Sequence, residues 1–226
     1  MAKKQKITLP KTDKVTGRPY LSYSQISTWK KSKRDYMRQF FFGEDFAGMS
    51  DYMDFGSKVG NALESNNFSD FNKTEQEFLK TLPRYDEFER EVNLDMGEFF
   101  VKGFIDTNTK ENTPTGELVR KIADYKTGDV DKKESEYASD DYIQLDIYAA
   151  AIQQETGVLP EEVSVFLIDR TGNAFKGEPL RLGERYVTIT KKVDDKRVKV
   201  VMNEVNKIAQ EISDYYQLFL KLNGLM

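Results

Sequence analysis

The 226-residue chain contains neither cysteine nor histidine, and these two absences remove most of the usual catalytic chemistry. Without Cys there is no thiol nucleophile, no zinc–cysteine site and no cysteine-held iron–sulfur cluster. Without His there is no histidine-based triad, no imidazole general base and no imidazole metal ligand. Any catalysis falls to Asp, Glu, Lys, Ser, Thr or Tyr. Carboxylate oxygens favour hard cations, so a bound metal would be Mg²⁺ or Mn²⁺ and not zinc. No apolar run approaches the roughly 20 residues needed to span a bilayer. The basic start, "MAKKQKITLPK", has no apolar stretch behind it and does not read as a secretory signal. The expectation is a soluble, cytoplasmic protein with no membrane association.

What is present is unevenly distributed. The net charge is −4, yet residues 1–40 carry 11 Lys or Arg against two acidic residues, Asp13 and Asp35. A basic segment on an acidic body suits phosphate binding, and a solvated Lys-rich tail would look the same. Residues 1–20 show no periodicity and read as a flexible basic arm; residues 21–226 read as one domain.

Within that domain "LSYSQISTWKKSKRDYMRQFFFG" reads as one helix. Ser24 caps it, Ile26, Trp29, Met37 and Phe40 form its apolar face, and Gly43 ends it. Lys30, Lys31, Lys33, Arg34 and Arg38 stud the other faces and are candidate contacts for nucleic acid. A second helix covers about Tyr52–Asn66, with Gly56, Gly60 and Glu64 stacked on one face. Those glycines imply close approach to the backbone, whether by a ligand or by a packed helix. A short helix over 73–82 precedes a change to period two. Stretches at about Phe88–Leu94, Glu98–Asn108 and Leu118–Tyr125 predict an antiparallel meander, with "DMGE" and "NTKENTPTGE" as its turns. A helix from about Ser139 to Glu155, strands at "VSVFLID" and "RYVTIT", and a long helix over about 194–222 complete the chain. The long helix carries Val198, Val201, Val205, Ile208, Ile212, Tyr215 and Phe219 at heptad spacing. That seam packs on the body or serves as a surface for a second copy or another partner.

The chemistry gathers in two of the meander strands. Asp106 follows an apolar run, while Asp124 and Lys126 are two apart and leave the same sheet face, with the Tyr125 carbonyl between them. If the strands pair near their ends, two carboxylates and one ammonium converge. Such a set suits phosphodiester hydrolysis: the carboxylates hold a divalent ion, and the lysine orients or deprotonates water or stabilises developing charge. A surface ion-pair ladder is the competing reading of the same trio. On the helix that follows, Gln144 and Tyr148 stand at i, i+4 on one face.

Taken together, "LSYSQISTWKKSKRDY", "FGSKVGNALE", "GFIDT", "IADYKTG" and "QLDIY" resemble, in order and spacing, the RecB-like branch of the PD-(D/E)xK nucleases, over about residues 21–148. The resemblance implies an α/β (α+β type) fold with a restriction-endonuclease-like core: a mixed central sheet, antiparallel meander included, flanked by helices. It implies that Asp106 binds metal, that Asp124 and Lys126 form the (D/E)xK pair, and that Gln144 and Tyr148 line the site and contact DNA. Two positions depart from the pattern. Gly60 stands where the family has the histidine of G-x-x-x-H, and Glu64, one turn on, is the candidate replacement ligand. Ser32-Lys33 replaces a Cys-Pro pair, so no iron–sulfur cluster is expected. The function implied is a Mg²⁺- or Mn²⁺-dependent DNA exonuclease of replication, recombination or repair, in a bacterial cell or phage-infected host. The alternative is a non-catalytic DNA-binding or scaffolding protein on a decayed nuclease fold.

Overall fold

The computed structural model describes residues 6–44, 50–114 and 116–225. From the N-terminus these form β1 (Tyr20–Ser22), α1 (Tyr23–Lys31), α2 (Lys33–Phe40), α3 (Ser50–Ser65) and α4 (Lys73–Lys80). Five strands follow: β2 (Glu87–Asp95), β3 (Phe100–Asn108), β4 (Glu111–Thr113), β5 (Gly116–Leu118) and β6 (Lys121–Gly128). Then come α5 (Val130–Ala138), α6 (Gln144–Thr156), β7 (Glu162–Thr171), β8 (Arg181–Lys191) and α7 (Asp195–Leu222).

β3 is the hub of the mixed sheet. One of its edges pairs antiparallel with β2 along the whole strand, from Asn108–Glu87 to Phe100–Asp95. Its other edge is shared. β1 runs parallel to residues 100–102, whereas β6 meets the strand antiparallel only at Thr107–Ala123 and Asn108–Ile122. Between these contacts, at residues 103–106, β3 has no strand on this edge and the sheet opens. β6 pairs in parallel with β7, a connection too long for a turn, which α5 and α6 supply as the crossover. β8 closes the sheet antiparallel to β7.

Helices cover both faces, which accounts for the apolar runs in β6 and β7. α6 is buried at every position from Gln144 to Ile152, as expected of a helix that is apolar nearly all round. With α7 it closes one core over Val101, Ile105, Ile122, Val165 and Leu167. On the other side α3 and α4 pack Val59, Leu63 and Leu79 against Ala123, Tyr125, Phe166 and Ile168. The mixed sheet, the meander and the flanking helices are those the motif order implied. Among the described residues no helix is long and apolar enough to cross a membrane.

Several local readings are corrected. The helix expected from Ser24 begins after Ser22 and breaks in two at Ser32. The Ser32 N–H still bonds Thr28 O, while its hydroxyl accepts from Asp35 N and restarts the chain as α2. α2 ends at Phe40, and Gly43 follows at φ +69°. The helix expected from Ser139 starts at Gln144, with α5 before it. The polar turn "NTKENTPTGE" contains the β4–β5 hairpin. Residues 1–5 of the expected arm lie outside the described residues, but residues 6–9 are docked while Val15 is 93% exposed. Ile7 and Leu9 are buried, Thr8 N donates to Ser213 Oγ, and the Gln217 amide donates to Lys6 O. The α7 seam is likewise used internally, because Val198, Val201, Val205, Ile208 and Ile212 are all buried in the core. Tyr215, at the far end of the same seam, is 44% exposed.

Candidate active site

The opening in the sheet at residues 103–106 lies over the part of β6 that carries Asp124 and Lys126. Alternation along β6 sends these two side chains to one face, where Lys126 Nζ sits 2.5 Å from Asp124 Oδ2. The crossover then returns the chain as α6 directly above. Gln144 Nε2 donates to Asp124 Oδ1 at 2.9 Å and lies 3.0 Å from the Tyr148 hydroxyl oxygen. The Tyr142 hydroxyl bridges Asp124 Oδ2 at 3.3 Å and Gln144 Oε1 at 2.9 Å. Asp124 is thus fixed from several sides and only 1% exposed. Asp106 enters from β3 across the gap, its Oδ2 accepting the Tyr125 N–H at 2.7 Å. In place of a strand-to-strand hydrogen bond, a carboxylate satisfies that backbone donor. These residues line one cleft of about 680 Å³ with Tyr23, Lys31 and Tyr137.

The electrostatics follow from two carboxylates and one ammonium held together out of water. Burial and the neighbouring Asp124 charge push the Asp106 carboxyl up to about 8, against the pull of Lys126 and the Tyr125 N–H. Burial works against the Lys126 ammonium, but the charges of Asp124 and Asp106 outweigh it and hold its pKa above the ordinary range. Burial also raises the phenols of Tyr142 and Tyr148, which stay neutral and able to donate.

The structure therefore brings together Asp106, Asp124, Lys126, Gln144 and Tyr148, with Lys31 at the rim of their cleft. It does not bring Glu64 to them. Glu64 is exposed on α3 and outside the lining of the cleft, and a Cβ at Gly60 would meet no atom within 4 Å. Of the expected DNA contacts, Lys30 and Lys33 pair with Glu204 and Glu211 of α7, and Arg38 pairs with Glu44. Lys31 is exposed and stands 3.7 Å from Glu136 Oε1, and Arg34 is exposed.

Sequence reasoning missed three features. Tyr142, two residues before Gln144, holds the second Asp124 oxygen; its only sequence signal was proximity to the Q-x-x-x-Y pair. Gly103 leaves room for Tyr148, since a Cβ there would stand 2.3 Å from Tyr148 Cε1. Glu89, whose place in the β2–β3 register is opposite Asp106, adopts φ +51° on the surface of β2. Desolvation by its neighbours and the charges of Glu64 and Asp124 raise its carboxyl pKa. A left-handed residue inside a strand leaves no trace in hydrophobic periodicity.

Among the described residues no group of three or more Asp or Glu side chains is gathered closely enough to enclose a metal ion. Two carboxylates, Asp106 and Asp124, do flank the opening, with the backbone of Tyr125 between them. An all-oxygen donor set of this size fits a small hard cation, because Mg²⁺ keeps several of its waters and needs only one or two protein carboxylates. The residues present therefore fit such an ion.

In comparisons with known proteins, the sequence pattern of the PD-(D/E)XK nuclease superfamily matches residues 63–223. A solved structure from Eubacterium rectale, described as a "putative exonuclease", is similar at 15% identity and a TM-score of 0.46, covering 92% of this chain and 82% of that one. No curated protein matches the chain in sequence.

Proposed function

Because the chain belongs to the PD-(D/E)XK nuclease superfamily, we propose that it is a Mg²⁺- or Mn²⁺-dependent DNA exonuclease of the RecB-like branch. It would act in replication, recombination or repair, in the cytoplasm of a bacterial cell or phage-infected host. The observation that supports this reading best is the convergence of Asp106, Asp124, Lys126 and Gln144 on one cleft.

In this reading Asp106, Asp124 and the Tyr125 carbonyl hold the metal. When bound there, such an ion would supply Lewis-acid polarisation of the scissile phosphate and a more acidic water. The residues of the chain do the remainder. Gln144 and Tyr142 fix the Asp124 carboxylate in one orientation, which removes reorganisation from the chemical step. Lys126, paired with Asp124, orients or deprotonates the attacking water or stabilises the charge that develops on the phosphate oxygens. Tyr148 stays neutral and borders the strand being cut. Lys31 at the cleft rim takes a neighbouring phosphate.

The test is cleavage of end-labelled linear and circular DNA, single- and double-stranded, with Mg²⁺, Mn²⁺ or EDTA. Asp124→Ala should lower the rate by about a thousandfold or more. Asp124→Asn belongs beside it, because it removes the charge while keeping a side chain of the same shape for Gln144 and Tyr142 to hold. Metal-dependent loss of linear but not circular substrate supports an exonuclease. A wild-type rate in both variants would sink the assignment of the site.

A second reading, DNA binding without catalysis, is favoured by the empty space at Gly60 and the exposed position of Glu64. It predicts salt-sensitive binding with no product under any metal condition, which the same assay reveals.

A further inference from the structure

Arg170, near the C-terminal end of β7, differs from the other half-buried arginines. Arg18, Arg38, Arg84, Arg90 and Arg197 each donate to carboxylates or to carbonyl oxygens. The Arg170 guanidinium has no hydrogen-bond acceptor and no carboxylate among the described residues, and its Nε is buried without a partner. What holds it is an aromatic ring: the guanidinium carbon lies 4.2 Å from the centre of Tyr52, a cation–π stack that orients the planar fork without consuming its donors. The Nε itself is enclosed, whereas the terminal guanidinium N–H groups, which carry no hydrogen bond to a described residue, are the donors an incoming acceptor would meet.

The surroundings define that ligand. Tyr52 is fixed by its hydroxyl, which accepts from Ala174 N at 3.0 Å and lies 3.3 Å from Asn173 Oδ1. Its ring packs at 5.4 Å against Phe175, which is 75% exposed. An oriented cation therefore stands beside an exposed aromatic on a braced loop, the combination that seats one phosphate and one base of a single strand. The platform lies on the α3 side of the sheet, near the end of β6 that carries Lys126. One turn along α3 from Tyr52, the Cβ position of Gly56 lies 3.6 Å from the hydroxyl of Thr127, the neighbour of Lys126. Asp169, the residue before Arg170, pairs with Gly128 at the end of β6. The charge of Arg170 also reaches Tyr137, a residue lining the cleft.

We propose that Arg170 and Phe175 form a rest for a single-stranded DNA segment near that end of β6, the arginine binding a backbone phosphate and the phenylalanine stacking on a base. The proposal rests on the nuclease reading above and names where the substrate strand lies beyond the scissile phosphate.

The test is fluorescence anisotropy of a labelled single-stranded thymidine oligomer in EDTA, across a salt series, so that no cleavage or metal site enters the readout. Arg170→Ala should weaken binding about tenfold and reduce the slope of log affinity against log salt by about 0.7, one phosphate contact on a single strand. Arg170→Lys should keep the slope and lose part of the affinity, because a lysine keeps the charge but not the stacked fork. Phe175→Ala should weaken binding about tenfold with the slope unchanged. Wild-type affinity and slope in Arg170→Ala, with the fold intact by circular dichroism, would overturn the proposal. If that variant does not fold, wild-type binding by both Arg170→Lys and the surface variant Phe175→Ala would overturn it equally. Failure of the wild-type protein to bind any oligonucleotide would remove the DNA reading itself, an outcome distinct from normal binding that ignores these two residues.

Discussion

Asp106 carries a pH signature that a surface aspartate would not. Its carboxyl binds a proton more tightly in the folded protein than in the unfolded chain, with the folded pKa pushed up to about 8 by burial and by Asp124. A raised pKa means that the associated stability is fully present below the unfolded value of about 4 and is lost as pH rises through the folded value. In EDTA the urea midpoint of the wild type should therefore fall between pH 5 and pH 8 by more than that of Asp106→Asn, which has no such proton to lose. Parallel pH profiles would mean that Asp106 titrates as an ordinary aspartate. Added Mn²⁺ should flatten the wild-type profile, since a cation replaces the proton. The identity of this residue was legible in the sequence, because an acidic residue ending an apolar strand is conspicuous. Its hydrogen bond to Tyr125 N was not, because that bond exists only where β3 and β6 part. Arg170 was invisible for a related reason: nothing in a sequence shows that an arginine lacks an acceptor.

Where strand meets helix, the spacing of one glycine governs the site. β3 and α6 approach so closely at Gly103 that the Tyr148 ring occupies the place of a side chain. Gly103→Ala should displace the Tyr148 phenol and disturb its contact with Gln144, the residue that fixes Asp124. Overpacking of this kind costs about 1–3 kcal/mol, so melting should shift modestly while cleavage falls about tenfold or more. Cleavage at the wild-type rate would show that the Tyr148 contact is dispensable. At this scale the type of each major element was readable, since period-two stretches became β2, β3 and β6 and the heptad seam became α7. Boundaries failed where a polar side chain competes with the helix. Ser32 ends α1 and starts α2 with its own backbone and hydroxyl, and the apolar pattern runs on through it because both helices face the same core. The start of the crossover helix failed likewise, since Tyr142 and Ile143 continue the apolar pattern before the helix begins and have no side-chain cap to announce it.

Across the whole molecule, the two ends of the described chain are tied together. Ile7 and Leu9 fill space beside α7, and Ser213 and Gln217 bind the backbone between and before them. Burying two such aliphatic side chains contributes about 3 kcal/mol or more. Removing residues 1–9 should lower the urea unfolding free energy by about that amount, and a truncated protein of unchanged stability would show that the segment merely rests on the surface. The charge pattern pointed the other way. A Lys-rich opening without periodicity reads as free chain, and two aliphatic residues in it are too few to announce a core contact. A second consequence concerns the order of synthesis. Thr8 and Ser213 are 205 positions apart, so during synthesis the Ile7–Leu9 segment waits for α7 to be made before its place exists. Until the last long helix is released, the early residues have nothing to dock against. Closure of this contact is thus a late event, set by sequence distance and not by the strength of the contact itself.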